Sequence, residues 1–197
     1  MRIFVGIDIE DEIRQWIASL IREICALAPD VRWVAPESLH VTLKFIGDKP
    51  DTVVAQVQER LASISADTIS LSFRGCGFFP TAKSARVFWI GIDADPGLAK
   101  LARQIDEALA ELGIAKEARA FSPHLTLARA GSGAPGRTKT DRSNHKFAKL
   151  QQKLAAMPPP DFGTMTAREF FLYRSQLSSQ GSRYTKIARF ALQPAEA

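Results

Sequence analysis

Histidine is scarce in this chain, with three among 197 residues, and two of the three stand in copies of one short segment. Leu39-His40-Val41-Thr42-Leu43 and Pro123-His124-Leu125-Thr126-Leu127 share the pattern His-x-Thr-Leu. Imidazole titrates near neutral pH, so one of a pair can be neutral while the other is charged. Such a pair can take a proton from water and give one to a departing alkoxide. Threonine hydroxyls can donate to phosphate oxygens and steady the group between them. This set suits in-line hydrolysis of a phosphodiester without a metal. Zinc suits it less, because zinc takes three or four ligands and no His-x-x-His or Cys-x-x-Cys spacing occurs. Neither the Gly-x-Ser-x-Gly of serine hydrolases nor a Gly-x-x-x-x-Gly-Lys-Ser/Thr phosphate loop is present. One His beside one Thr is usually just the polar face of a strand. Two copies at equivalent places argue for a reaction centre between two related halves.

The duplication exceeds the tetrapeptide. The two histidines lie 84 positions apart, and the same offset aligns Arg2 with Arg86, Phe4 with Phe88, Asp11 with Asp95, Ile21 with Ile105 and Ser38 with Ser122. That is too long for a solenoid period. It reads as one doubling, with halves of about 1–84 and 85–197 forming a single bilobal domain.

The elements that must hold the histidines follow from periodicity. Residues 2–9 read as a strand. Ile13, Ile17, Leu20, Ile24 and Leu27 mark a helix over 11–28. Residues 31–34 and 39–46 read as strands, 51–64 as a helix, and 68–74 as extended. The apolar run at 85–92 reads as a buried strand. Leu98, Leu101, Ile105, Leu109 and Leu112 mark a helix that Gly113 can end. The second histidine strand covers 123–130. Phe147, Leu150, Leu154 and Met157 mark a helix stopped by Pro158-Pro159-Pro160. Residues 165–174 and 184–192 supply the last strands. The fold class is α+β: two pseudo-symmetric lobes of mostly antiparallel sheet, helices outside, and the active-site cleft between them. Alternation along a strand places His40, Thr42 and Lys44 on one face, with Val41, Leu43 and Phe45 on the other. His124 and Thr126 share a face likewise, and Arg129 has the opposite parity.

Hydrophobic content of 46% and charged content of 24% are ordinary for a globular protein. No apolar run approaches the ~20 residues of a membrane span. The N-terminal segment reads as a first strand rather than a signal peptide. Two cysteines, Cys25 and Cys76, make no disulfide framework and read as reduced thiols of a cytoplasmic protein. The net charge of +5 tilts toward a polyanionic partner such as nucleic acid. Residues 131–146 read as a Gly/Pro-rich basic loop beyond the second histidine strand. Its Arg137, Lys139, Arg142 and Lys146 are candidates for contact with an RNA backbone.

At these residues the chain resembles the two-histidine phosphoesterases, and within them the RNA 2′,3′-cyclic phosphodiesterase (2′-5′ RNA ligase) family. The likeness covers nearly the whole chain. It rests on Arg32-Trp33-Val34, on Leu39 to Gly47 around His40, and on Gly77-Phe78-Phe79-Pro80. It continues through Phe121 to Arg129 around His124 and ends with Ser175-Gln176-Leu177 and Gly181-Ser182-Arg183-Tyr184. The basic loop departs from the pattern by its length. The resemblance implies hydrolysis of a terminal 2′,3′-cyclic phosphate on RNA to a 2′-phosphomonoester, with reversible 2′-5′ joining of RNA such as tRNA fragments. It implies that His40 is the proton donor, His124 the proton acceptor, and Thr42 and Thr126 the phosphate holders. Arg129 is a further candidate for phosphate or base contact, and Phe121 or Trp33 for stacking on a base. No metal, cofactor or membrane is expected, and the protein is expected to be a monomer. An RNA-binding module without turnover and an esterase acting on a small cyclic phosphate remain as alternatives.

Overall fold

A computed structural model describes residues 1–131, 139–178 and 181–194, with side chains outside the description at 139–144, 177, 178 and 181. The chain begins with β1 (Arg2–Asp8), α1 (Asp11–Ile24), β2 (Val31–Trp33), β3 (His40–Asp48), α2 (Asp51–Ala62) and β4 (Ile69–Phe79). It continues with β5 (Val87–Ala94), α3 (Pro96–Ala110), β6 (His124–Ala130), α4 (Lys139–Ala155), β7 (Asp161–Ala167), β8 (Glu169–Ser178) and β9 (Gly181–Ala191). The helices form where the apolar stripe is long enough to bury. In α1, Ile13, Ile17, Leu20, Ile21 and Ile24 all face inward, each burial worth about 1.5–3 kcal/mol. In α3 the Asp95 carboxylate caps the first turn by accepting from the Gly97 amide. Gly113, at φ 74°, turns the chain away in the left-handed conformation that favours glycine.

The strands make two antiparallel sheets, ordered β3-β1-β8-β9 and β2-β6-β5-β4-β7. Both have the same plan: a histidine strand, then its neighbour, then a strand contributed by the other half. β8 and β9 come from the second half to join β1 and β3. β2 and β4 come from the first half to join β5 and β6. The sheets are therefore woven from both halves rather than built one from each. α3 packs on β3 and α1 on β7, so the helices cross over as well. One continuous apolar core runs through both sheets and the helices, including Val41, Leu43, Leu125 and Leu127 from the histidine strands. No helix among the described residues is long and apolar enough to cross a membrane.

Three sequence expectations change. The extended segment expected at 68–74 runs on to Phe79 as β4, through glycines that ordinarily end a strand. The segment 165–174, read as one strand, is split at Arg168 between β7 and β8, which belong to different sheets. Its apolar residues enter the same core on both sides of the break, so their pattern gives no sign of it. The segment 131–146, read as a loop throughout, is helical from Lys139. The first turns of α4 carry no apolar stripe, and periodicity alone registers the helix only from Phe147.

Candidate active site

The histidine strands owe their geometry to a pair of bulges. In the pairing of β1 with β3, Val5 stands opposite Lys44 and Gly6 opposite Thr42, which leaves Leu43 as an extra residue. In the pairing of β5 with β6, Phe88 stands opposite Ala128 and Trp89 opposite Thr126, which leaves Leu127 extra. One inserted residue reverses the faces taken by the side chains that follow it. Lys44, expected beside His40 and Thr42, therefore turns into the interior at 5% exposure. Phe45, expected in the core, is 51% exposed and lines the cleft. Ala128 is buried, and Arg129 reaches the cleft despite its parity. Phe45 and Arg129 occupy equivalent places in the two motifs.

His40, Thr42, His124 and Thr126 line one cleft of about 470 Å³, with Arg129, Phe45, Phe4 and Arg2 around them. Each imidazole is anchored identically. His40 Nδ1 lies 2.8 Å from the Ser38 carbonyl, and His124 Nδ1 lies 2.8 Å from the Ser122 carbonyl. A carbonyl can only accept, so Nδ1 carries the proton and Nε2 is left to exchange one. Arg129 Nη2 donates to the Thr126 hydroxyl at 3.4 Å, so a guanidinium stands beside the second phosphate-holding candidate. The Arg2 guanidinium lies over the Phe45 ring, 5.1 Å from its centroid.

The surroundings of the two rings differ. His40 lies against the Phe4 ring, with centroids 4.5 Å apart, and Tyr184 meets it edge-on at 4.9 Å. Gly6 lets β1 and β3 approach closely beside this ring, because a Cβ there would stand 2.8 Å from the Val41 carbonyl oxygen. Burial pushes the His40 pKa below its ordinary value; the Ser38 carbonyl and the Asp8 charge push it up, and Arg129 and Arg14 push it down. Burial would raise the Asp8 carboxyl, but Lys186 and Arg14 hold it below its ordinary value. Arg14 also donates to the carbonyls of Pro36 and Ile9, at 2.6 and 3.0 Å. It thereby fixes the turn that presents the Ser38 carbonyl. His124 has Phe79 edge-on at 5.1 Å, itself stacked on Trp89.

The other candidate residues scatter. Phe121 and Trp33 pack against the core, and Trp33 Nε1 donates to the Ala28 carbonyl. Lys139, Arg142 and Lys146 belong to α4, and Lys146 is half-buried. Arg137 lies outside the described residues. Sequence reasoning placed Phe45 in the core and gave no role to Phe4, Arg2 or Tyr184. The repeat offset pairs Phe4 with Phe88 and Arg2 with Arg86, but it does not reveal which copy faces the cleft.

Two antiparallel sheets, each holding one His-x-Thr strand against a common cleft, define a phosphoesterase of the two-histidine class. The sequence matches the LigT like Phosphoesterase family twice, over residues 7–89 and 90–184. The chain belongs to that family. The RNA 2′,3′-cyclic phosphodiesterase of Archaeoglobus fulgidus is 34% identical over 190 residues, spanning 96% of this chain and 99% of the relative. That of Methanothermobacter thermautotrophicus is 30% identical, spanning 98% of this chain and 99% of the relative. The crystal structure of E. coli LigT complexed with 3′-AMP superimposes with a TM-score of 0.76 at 28% identity, covering 97% of each chain.

Proposed function

We propose that this protein hydrolyses the 2′,3′-cyclic phosphate end of RNA to a 2′-phosphomonoester, acting as one bilobal unit over residues 1–197. The observation that carries the reading is the pair of identically anchored imidazoles, each with a threonine two residues on, in one cleft. The names of the relatives support the substrate, and the 3′-AMP bound by the structural neighbour supports a nucleotide in this cleft.

In the proposed reaction His124 Nε2 takes a proton from water as the water oxygen bonds to phosphorus. The bond from phosphorus to the 3′-oxygen breaks, and His40 Nε2 supplies the proton to that oxygen. Thr42, Thr126 and Arg129 hold the non-bridging oxygens, Arg129 as a charge-assisted donor. His40 must be protonated when the substrate is bound. The empty site opposes this through burial, and the negative phosphate favours it. A 5′-hydroxyl in place of water gives 2′-5′ joining by the same proton transfers, which extends the proposal to RNA halves such as tRNA fragments.

No metal or cofactor enters this scheme. The cleft lining offers imidazole, hydroxyl and guanidinium groups but no carboxylate or thiolate among the described residues. The test is turnover of oligonucleotides ending in a 2′,3′-cyclic phosphate, with excess chelator present. The expected result is an undiminished rate and a 2′-phosphomonoester product. Activity lost to chelator and restored by a divalent ion overturns the metal-free mechanism, and absence of turnover overturns the activity.

A further inference from the structure

The groove along the first sheet does not end at His40. Tyr184, edge-on to the His40 ring, lines the cleft on one side and a second cavity of about 420 Å³ on the other. Ser38 and His40 also border both. Tyr173, 5% exposed, lines this second cavity. Its ring stacks on Phe4, with centroids 4.9 Å apart and planes 7° from parallel. Its hydroxyl is buried and has no hydrogen-bond partner among the described residues. A buried hydroxyl left unpaired is unfavourable, so a native fold keeps one where water or a ligand meets it. Burial raises the Tyr173 pKa, so the hydroxyl remains a donor.

Among the described residues, Arg183 is the cation of this cavity that no carboxylate holds. Arg183 and Lys186 line it. Asp8 lines it too, but its carboxylate is already bound by Arg14 and Lys186. Glu37 is the other carboxylate present. A cavity that shares Ser38, His40 and Tyr184 with a phosphate-transfer site, with a buried donor, the Arg183 cation and a lysine shared with Asp8, suits the next phosphate of a nucleic acid strand.

We infer that the second cavity seats the 5′ phosphodiester of the terminal nucleotide, the linkage next to the reacting cyclic phosphate. The Tyr173 hydroxyl donates to it, and Arg183 supplies the charge. This rests on the proposed RNA substrate, and it makes the enzyme a reader of at least two nucleotides.

The experiment compares a dinucleotide ending in a 2′,3′-cyclic phosphate with a nucleoside 2′,3′-cyclic phosphate. A third ligand is the same dinucleotide with a neutral methylphosphonate linkage. The wild-type protein should prefer the charged dinucleotide in kcat/KM by roughly tenfold, the order expected of hydrogen bonds to a charged group. The methylphosphonate should lose that preference. Tyr173→Phe, which keeps the stacked ring, and Arg183→Met should each cost several-fold more on the dinucleotide than on the mononucleotide. Equal wild-type rates on both substrates overturn the inference, as does a preference that survives both substitutions. Retention of the preference by the methylphosphonate overturns it too, since the cavity then reads a base. If neither substrate turns over, the activity falls and calorimetric affinities decide the cavity. Tighter binding of the charged dinucleotide that depends on Tyr173 supports the inference, and equal affinities refute it.

Discussion

The two histidine half-sites share a tetrapeptide, a bulge and a carbonyl anchor, and then they part. Behind His40 stand three aromatic rings and a carboxylate clamped by two cations. Behind His124 stands one aromatic ring stacked on another. The equivalent residues after the bulge are Lys44 and Phe45 in one strand, and Ala128 and Arg129 in the other. Duplication supplied matched geometry, and divergence gave the two imidazoles different surroundings. A reaction that needs one acid and one base requires both outcomes.

The comparison breaks most severely if either imidazole is dispensable. His40→Ala and His124→Ala should each lower kcat by ~10²–10⁴-fold, the range for a general acid or base, with the far-ultraviolet circular dichroism unchanged. Near-normal turnover in either variant would end the two-base scheme.

Lys44 tests the divergence after the bulge. Its ammonium, buried on the core side of β3, donates to the Asp106 carboxylate of α3 and to the Ala115 carbonyl. Asp106 also accepts from the Glu117 amide. The strand carrying His40 is thus tied to the segment leading towards β6. Lys44→Met should cost about 3 kcal/mol in urea unfolding, the lower end for a broken buried pair, because Asp106 keeps the Glu117 amide. A loss below ~1 kcal/mol would mean that the pair behaves as a surface one.

Asp8 sharpens the assignment of roles. Its charge raises the His40 pKa against the lowering by Arg129 and Arg14, so Asp8→Asn lowers that pKa. A general acid must hold its proton, so the alkaline limb of the pH profile of kcat/KM should move to lower pH while the acid limb stays. Movement of the acid limb instead would exchange the roles of His40 and His124.

The smallest effect concerns the basic segment. Neutralising Arg137, Lys139, Arg142 and Lys146 together should weaken activity on long RNA several-fold. It should also flatten the slope of log activity against log salt concentration by ~0.7 per lost phosphate contact. Hydrolysis of a nucleoside 2′,3′-cyclic phosphate should change little. Equal loss on both substrates would assign these residues to the fold or the catalytic centre.

His40, Thr42, His124 and Thr126 were legible because the repeat marks them and because polar residues stand out on otherwise apolar strands. Most strands and helices were legible for the same reason of period. What escaped depends on distance along the chain. Leu43 and Leu127 look like ordinary alternating residues, and only their partners in β1 and β5 reveal that each is an insertion. The cleft-facing Phe45 and the buried Lys44 follow from that insertion. Nothing local in residues 169–178 shows that β8 pairs with β1, and nothing at Arg168 shows that the chain changes sheets there.

The weaving of the two halves also bears on how the protein is made. β1 lies between β3 and β8, with Ile3 opposite Arg174. A ribosome adding ~5–20 residues per second needs roughly ten to thirty seconds to reach that partner. Through that interval β1 presents an open edge to the cell, a template for other strands. Pairings this far apart in sequence also close slowly. The nascent chain can complete its first sheet only after β8 and β9 have been made, and it can become a catalyst no earlier.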